Sequence, residues 1–132
     1  MGQLDNRIAL ITGAGRGIGR AIALAYAQEG AALALAARTH RDLEQTAQQA
    51  QVLGATTCIV PVDISDPAQA EDLVRQTVER FATIDILVNN AGMTGPVGPL
   101  QETDVAAWLR TIQVNLIGTY VCCRAVLPVM QR

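Results

Sequence analysis

No lysine occurs among the 132 residues: all ten basic side chains are arginine, and serine occurs once, at Ser65. Chemistry that needs a lysine ammonium is therefore excluded from this chain, and chemistry that needs a serine hydroxyl has one candidate. Aromatic residues make up only 3% while half the residues are apolar, so Ala, Val, Leu and Ile must build the core. The net charge of −2 and pI of about 5.2 exclude the basic, aromatic-studded surface that nucleic acid selects. Met1–Asn6 lacks a basic-then-apolar leader pattern, and no apolar run approaches the roughly 20 residues of a membrane span. Cys58, Cys122 and Cys123 are spaced for neither a disulfide framework nor a zinc site. They read as reduced packing residues of a cytoplasmic protein, and no metal site is predicted. The lone histidine, His40, sits beside a predicted helix start and reads as exposed and non-catalytic.

What the chain does have is a glycine-rich turn in an informative place. Arg7-Ile8-Ala9-Leu10-Ile11 is a β-type run, Thr12-Gly13-Ala14-Gly15-Arg16-Gly17-Ile18-Gly19 follows, and Arg20–Ala25 continues with helical residues. Glycines let the backbone turn sharply and let a ligand approach with no Cβ in the way. The helix behind them aims unpaired N–H groups and its positive dipole end at an anion. Strand, glycine turn and helix in that order form the context that phosphate binding requires.

Strand and helix signals then alternate to the end of the chain, with no internal repeat. Strands are predicted at Arg7–Thr12, Ala32–Ala37, Thr56–Val62 and Ile84–Asn89. Helices are predicted at Gly17–Glu29, at about Arg41–Leu53 capped by Thr39, and from Asp66-Pro67 with Asp as cap and Pro in the first turn. Gly54 ends the second of these, and Leu73, Val74, Thr77, Val78 and Phe81 give the third its apolar face. A turn-rich loop, Met93–Pro99, leads to a long helix from about Asp104 to Gln131. Ile112, Leu116, Ile117, Tyr120, Val121, Val126, Leu127, Val129 and Met130 leave little of that helix polar, which predicts burial on more than one side.

The pattern βαβαβαβα predicts one α/β domain over residues 1–132: a partial, Rossmann-type doubly wound parallel sheet of four strands in the order 3-2-1-4. Ligands of such sheets bind at the carboxyl ends of the strands. Thr12-Gly13, Asp63-Ile64 and Asn89-Asn90-Ala91-Gly92 are the unusual residues at those ends, and the Met93–Pro99 loop is expected to border a substrate there.

At these residues the chain resembles the short-chain dehydrogenase/reductase family. Thr12–Gly19 is similar to its cofactor turn, Asn89-Asn90-Ala91-Gly92 to its second signature, Asp63 to the acid that bonds the adenine amino group, and Asn115 to its active-site asparagine. The resemblance implies an oxidoreductase that transfers hydride between a nicotinamide cofactor and a small alcohol or carbonyl substrate. It implies cofactor contacts at Gly13, Gly15, Arg16, Gly17, Ile18, Gly19, Arg38, Asp63, Ile64, Asn90, Ala91 and Gly92, and a catalytic role for Asn115. It also implies a homodimer or homotetramer built through the helix 104–131.

The family's chemistry further needs a Ser, a Tyr, and a Lys four residues after the Tyr, the cation lowering the phenol's pKa. Without lysine that pair is absent, and Tyr120 with Arg124 falls on one helix side by ordinary periodicity. The expectation is the nucleotide-binding half of a longer dehydrogenase, inactive alone. The alternatives are a catalytically silent dinucleotide-binding module and an oligomerising structural fragment. The second strand ends Leu35-Ala36-Ala37-Arg38 with no acid for the 2′-hydroxyl of NAD(H), whereas arginines suit a 2′-phosphate. NADP(H) is favoured, with NAD(H) possible.

Overall fold

Side chains along the first two strands alternate between two cores, and that alternation organises the molecule. A computed structural model describes residues 1–132, with β1 (Ile8–Thr12), β2 (Ala32–Ala37), β3 (Thr57–Pro61) and β4 (Ile86–Val88) interleaved by α1 (Gly17–Gln28), α2 (His40–Val52) and α3 (Pro67–Phe81). All pairings are parallel, in the predicted order β3-β2-β1-β4. Ala9, Ile11, Leu33 and Leu35 face α1 and α2, joined by Ala23, Ala27, Leu43 and Ala47. Leu10, Ala34 and Ala36 face the other way, onto Leu73 and Val74 of α3 and Val121, Cys122 and Val126 farther along the chain. Period-two alternation of apolar residues toward both faces is what a doubly covered parallel sheet demands.

Strand four is shorter than predicted, and Asp85 explains its late start. The Ile8 amide donates to the Asp85 carboxylate at 2.8 Å while the Asp85 amide donates to the Ile8 carbonyl at 2.9 Å. A side chain thus occupies a ladder position before Ile86. Strand three is also trimmed, to Thr57–Pro61; it is the edge strand, and the Val62 amide still donates to the Ala37 carbonyl at 2.8 Å, so Pro61 removes no ladder bond.

Helix ends agree with the sequence reading in part. Asp66 caps α3, its carboxylate accepting from Ala68 N at 3.0 Å, with Pro67 in the first turn. The Gly54 and Ala55 amides close the end of α2 on Gln51 and Ala50. Thr39 is the exception: it precedes α2 but its hydroxyl makes no capping bond, and the helix begins one residue earlier than predicted, at His40. Asp42 in the first turn supplies the favourable charge there instead.

The predicted uniform helix 104–131 is three pieces. Asp104 caps α4 (Val105–Ile112), a π turn covers Gln113–Ile117, and α5 (Gly118–Met130) follows. Of the two sides expected to be covered, one packs on the sheet. Gly118, Val121, Cys122, Val126 and Val129 form one buried stripe, whereas Leu109, Ile112, Leu116, Tyr120 and Leu127 are exposed. By length and composition Val105–Met130 would suffice to cross a membrane, although the sequence shows no single apolar run of that size; here its buried stripe packs on the sheet. The three thiols are free. Burial, seconded by neighbouring Cys123, pushes the Cys122 thiol up to about 11, which keeps it protonated and inert.

Leu10 is fully buried at the sheet's centre. Leu10→Ala is expected to lower unfolding free energy by about 2–5 kcal/mol, measured by chemical denaturation.

Candidate functional site

The carboxyl ends of β1, β2 and β4, with the segment after β3, surround one cleft of about 400 Å³. Its walls come from the glycine turn, from Ala36–Thr39 and Asp42, from Val62–Ile64, and from Asn90–Met93 with Val114. Of the predicted site residues, Gly13, Gly15, Arg16, Gly17, Ile18, Arg38, Asp63, Ile64, Asn90, Ala91 and Gly92 all line it. Gly19 and Asn115 do not.

The floor is a joint between β1 and the chain leaving β4. Thr12 is buried, and its hydroxyl donates to the Val88 carbonyl at 3.4 Å while accepting from the amides of Asn90 at 3.1 Å and Ala91 at 3.0 Å. One donor and two acceptor positions are thereby used, the full capacity of a hydroxyl. Asn90 returns the bond, its side-chain amide donating to the Gly13 carbonyl at 3.1 Å. Gly19 lies beneath this joint rather than on the cleft: a Cβ there would stand 2.0 Å from the Gly13 carbonyl oxygen. Gly13 and Gly17 have φ of +62° and +58°, where a side chain is strained.

Arg20, missed from sequence, braces the turn from outside. Its guanidinium donates to the Gly15 carbonyl, to Thr46 Oγ1 at 2.9 Å and to the Asp42 carbonyl at 3.3 Å, while Thr46 donates to the Ala14 carbonyl at 2.9 Å. With these carbonyls engaged, the amides are what remains. Gly17, Ile18 and Gly19 donate no backbone hydrogen bond, and α1 has neither a side-chain cap nor an acid in its first turn. Unpaired amides at a helix start, unopposed by a carboxylate, suit a phosphate anion. A Cβ at Gly17 would meet nothing within 4 Å, so space for such a group is open above them. The residues present therefore fit a dinucleotide.

Charge is divided along the cleft. Arg16 and Arg38 are exposed on its walls beside Asp42. At the β3 end, Asp63 accepts from the Ser65 hydroxyl at 2.6 Å, from the Ser65 amide at 3.0 Å and from Arg110 Nη2 at 3.2 Å. The Ser65 hydroxyl, helped by its amide and by Arg110, holds the Asp63 carboxyl below the usual carboxylate range against the opposing effect of burial. Ser65, read from sequence only as a loop residue, is buried. Its link to Asp63 is a local contact two residues away that the Asp-x-Ser spacing could have signalled, whereas Arg110 lies 47 positions from Asp63 and left no such signal.

Asn115 acts through the loop. Its carbonyl oxygen accepts from the Met93 amide and its NH₂ donates to the Met93 carbonyl, both at 2.8 Å. Both bonds leave from the π turn, a feature often found at functional sites. The side chain is thus committed to clamping Met93, which lines the cleft.

Comparison with known proteins agrees with this geometry. The short chain dehydrogenase family model matches residues 7–132. The chain is 39% identical over 123 residues to a hydroxy(phenyl)methylsuccinyl-CoA dehydrogenase subunit of Thauera aromatica, covering 93% of this chain and 49% of the relative. Among solved structures, it is similar to carveol dehydrogenase from Mycobacterium avium in complex with NAD, with a TM-score of 0.93 and 29% identity over 98% of this chain and 51% of that one. An alcohol dehydrogenase from Thermococcus sibiricus complexed with 5-hydroxy-NADP gives a TM-score of 0.91 and 38% identity, covering 96% of this chain and 54% of that one. The chain spans about half the length of these relatives.

Two outcomes follow from the site's geometry. Gly19→Ala is expected to destabilise the fold by about 1–3 kcal/mol, because the methyl would meet backbone that cannot move aside; thermal unfolding measures this. Asp63 has a lowered folded-state pKa, so its stabilising contribution is present above the unfolded value of about 4 and is lost as pH falls through the folded value. Asp63→Asn is expected to flatten this acid-side loss of stability in unfolding titrations from pH 6 downward.

Proposed function

The chain belongs to the short chain dehydrogenase family, and from that premise we propose that it is the dinucleotide-binding half of an NADP(H)-preferring oxidoreductase. The observation that carries this reading is the set of unpaired α1 amides opening on a cleft at the carboxyl ends of the strands. In this reading Gly13, Gly15, Gly17 and Ile18, with the helix start behind them, hold the pyrophosphate, while Gly19 keeps the turn close against Asn90. Asp63 and Ile64 border the adenine, and Asn90, Ala91 and Gly92 border the nicotinamide end. The nicotinamide, when bound, supplies hydride transfer to or from an alcohol or carbonyl.

Asn115 is a positioning residue here. By engaging both backbone polar groups of Met93 it sets the height of the loop that forms the substrate side of the cleft. The chain contributes no Tyr-x-x-x-Lys pair to lower a phenol's pKa, so it is inactive by itself and serves catalysis within a longer protein. A silent binding module is the second reading. It is favoured by a cleft that this chain lines with the predicted phosphate and adenine-side residues while having no lysine. The exposed apolar stripe through Ile112, Leu116 and Tyr120 supports pairing of copies through helix 104–131.

Cofactor preference rests on Arg16 and Arg38. A guanidinium is matched to a phosphate in charge and in its forked geometry, and no acid stands at the end of β2 to bond a 2′-hydroxyl. Isothermal titration of the 132-residue chain is expected to give tighter binding to NADPH than to NADH. Arg38→Ala is expected to weaken NADPH by about tenfold, the loss of one charge-assisted contact of about 1.4 kcal/mol, and to leave NADH nearly unchanged. A folded sample that binds neither would overturn the reading.

A further inference from the structure

Ala37 closes β2, and a second side chain stands at the same spot. A Cβ placed on Gly15 would lie 3.6 Å from the Ala37 Cβ and 2.9 Å from the Asp42 Cβ. The last residue of the strand and the first-turn acid of α2 therefore converge on one buried glycine of the turn. Gly15 admits both because it has no side chain of its own. The backbone of Asp42 is fixed there from two directions. Arg20 Nη2 donates to its carbonyl at 3.3 Å, and the next residue, Leu43, is fully buried in the core.

Its carboxylate, by contrast, is uncommitted. Neither oxygen has a hydrogen-bond or ion-pair partner in the chain, although Arg16 and Arg38 line the same cleft. The Thr39 amide, which an acid three positions into a helix can reach back to, is not bonded to it. An acceptor without a partner, beside the strand-end position from which an acid meets an adenosine 2′-hydroxyl, is matched to that hydroxyl. We propose, building on the dinucleotide reading above, that Asp42 is a specificity-determining residue that accepts from the adenosine 2′-hydroxyl of NAD(H). The cleft then carries determinants for both cofactors, Arg16 and Arg38 for the 2′-phosphate and Asp42 for the hydroxyl. A hydroxyl gives the carboxylate a charge-assisted bond. A 2′-phosphate in its place brings negative charge against the carboxylate, so Asp42 holds down the NADP(H) preference that the arginines create.

Favourable charge at the start of α2 is the competing account of the same residue. The two accounts differ in sign. An acid that acted on ligands only through its charge would repel both dinucleotides, which are anions, and its removal would tighten both. An acid that accepts from the 2′-hydroxyl makes one cofactor lose affinity on removal and the other gain it.

The test is isothermal titration of the 132-residue chain with NADH, NADPH and an NADH analogue that lacks the adenosine 2′-hydroxyl. Asp42→Ala is expected to weaken NADH by about tenfold, the scale of one charge-assisted hydrogen bond, and to tighten NADPH by about threefold, the scale of a partly screened like-charge contact. Asp42→Asn, which keeps the shape and a neutral acceptor, is expected to weaken NADH by only about threefold. The wild-type chain is expected to bind the analogue about tenfold more weakly than NADH, and Asp42→Ala to bind the two within about twofold, which is the coupling a double-mutant cycle reads. Thermal unfolding without ligand establishes that the variants are folded. In folded variants, NADH and NADPH affinities that move in the same direction or stay unmoved would overturn the role of Asp42 while leaving dinucleotide binding intact. A penalty for the missing hydroxyl that persists in Asp42→Ala would overturn it as well. If the folded wild-type chain bound neither cofactor, the dinucleotide reading would fall and the role of Asp42 with it.

Discussion

The Thr12 hydroxyl is the joint on which the rest of the site depends. Strands β1 and β4 are parallel neighbours whose ladder ends at Ile11 and Val88. Beyond that point the two chains must separate, one into a helix and the other into a loop. A buried backbone group that loses its ladder partner needs another. Thr12 supplies it by receiving the Asn90 and Ala91 amides and giving its own proton to Val88. Asn90 then reaches back to Gly13, and Gly19 must lack a side chain for that reach to fit. Strand end, glycine turn and Asn90–Gly92 segment are thus one object, and the cleft takes its shape from it.

Around that joint the molecule separates two kinds of polar work. Backbone carbonyls of the glycine turn are engaged from behind by Arg20, Thr46 and Asn90, so the amides at the start of α1 face the cleft unpaired. At the other end, Asp63 is gripped by Ser65 and Arg110. One end of the cleft offers donors and the other an acceptor. This polarity suits a ligand that carries phosphate near its middle and an amine at one end. Arginine serves both the bracing of the turn and the gripping of the acid, which suits a planar fork with several fixed donors. In a chain without lysine, every such task falls to it.

The long helical segment links the two halves of the site. Arg110 and Gln113 bind the loop after β3, while Asn115, two residues farther on, clamps Met93 in the loop after β4. The π turn Gln113–Ile117 lies at this point of the helix. Past the turn, α5 resumes as an ordinary packing helix, its buried stripe on the sheet core.

The sequence by itself determined the class and direction of the sheet, the glycine turn and most of the cleft lining. Those features are local: period-two and period-3.6 patterns, and glycines between a strand and a helix, act through residues adjacent in the chain. It also carried the cap at Asp66 and the end of α2 at Gly54 for the same reason. Tertiary structure alone decided the rest. Thr39 looked like a cap and is not one, because a hydroxyl bonds the helix only when its rotamer and backbone bring it there. Strand four begins late because the Asp85 side chain takes the place of a ladder bond with Ile8, 77 residues away. Arg110 meets Asp63 and Ser65 only after α4 is laid beside the sheet. Contacts between residues tens of positions apart leave no periodic mark on a sequence, and it is such contacts that turn a set of lining residues into a site with a defined donor end and a defined acceptor end.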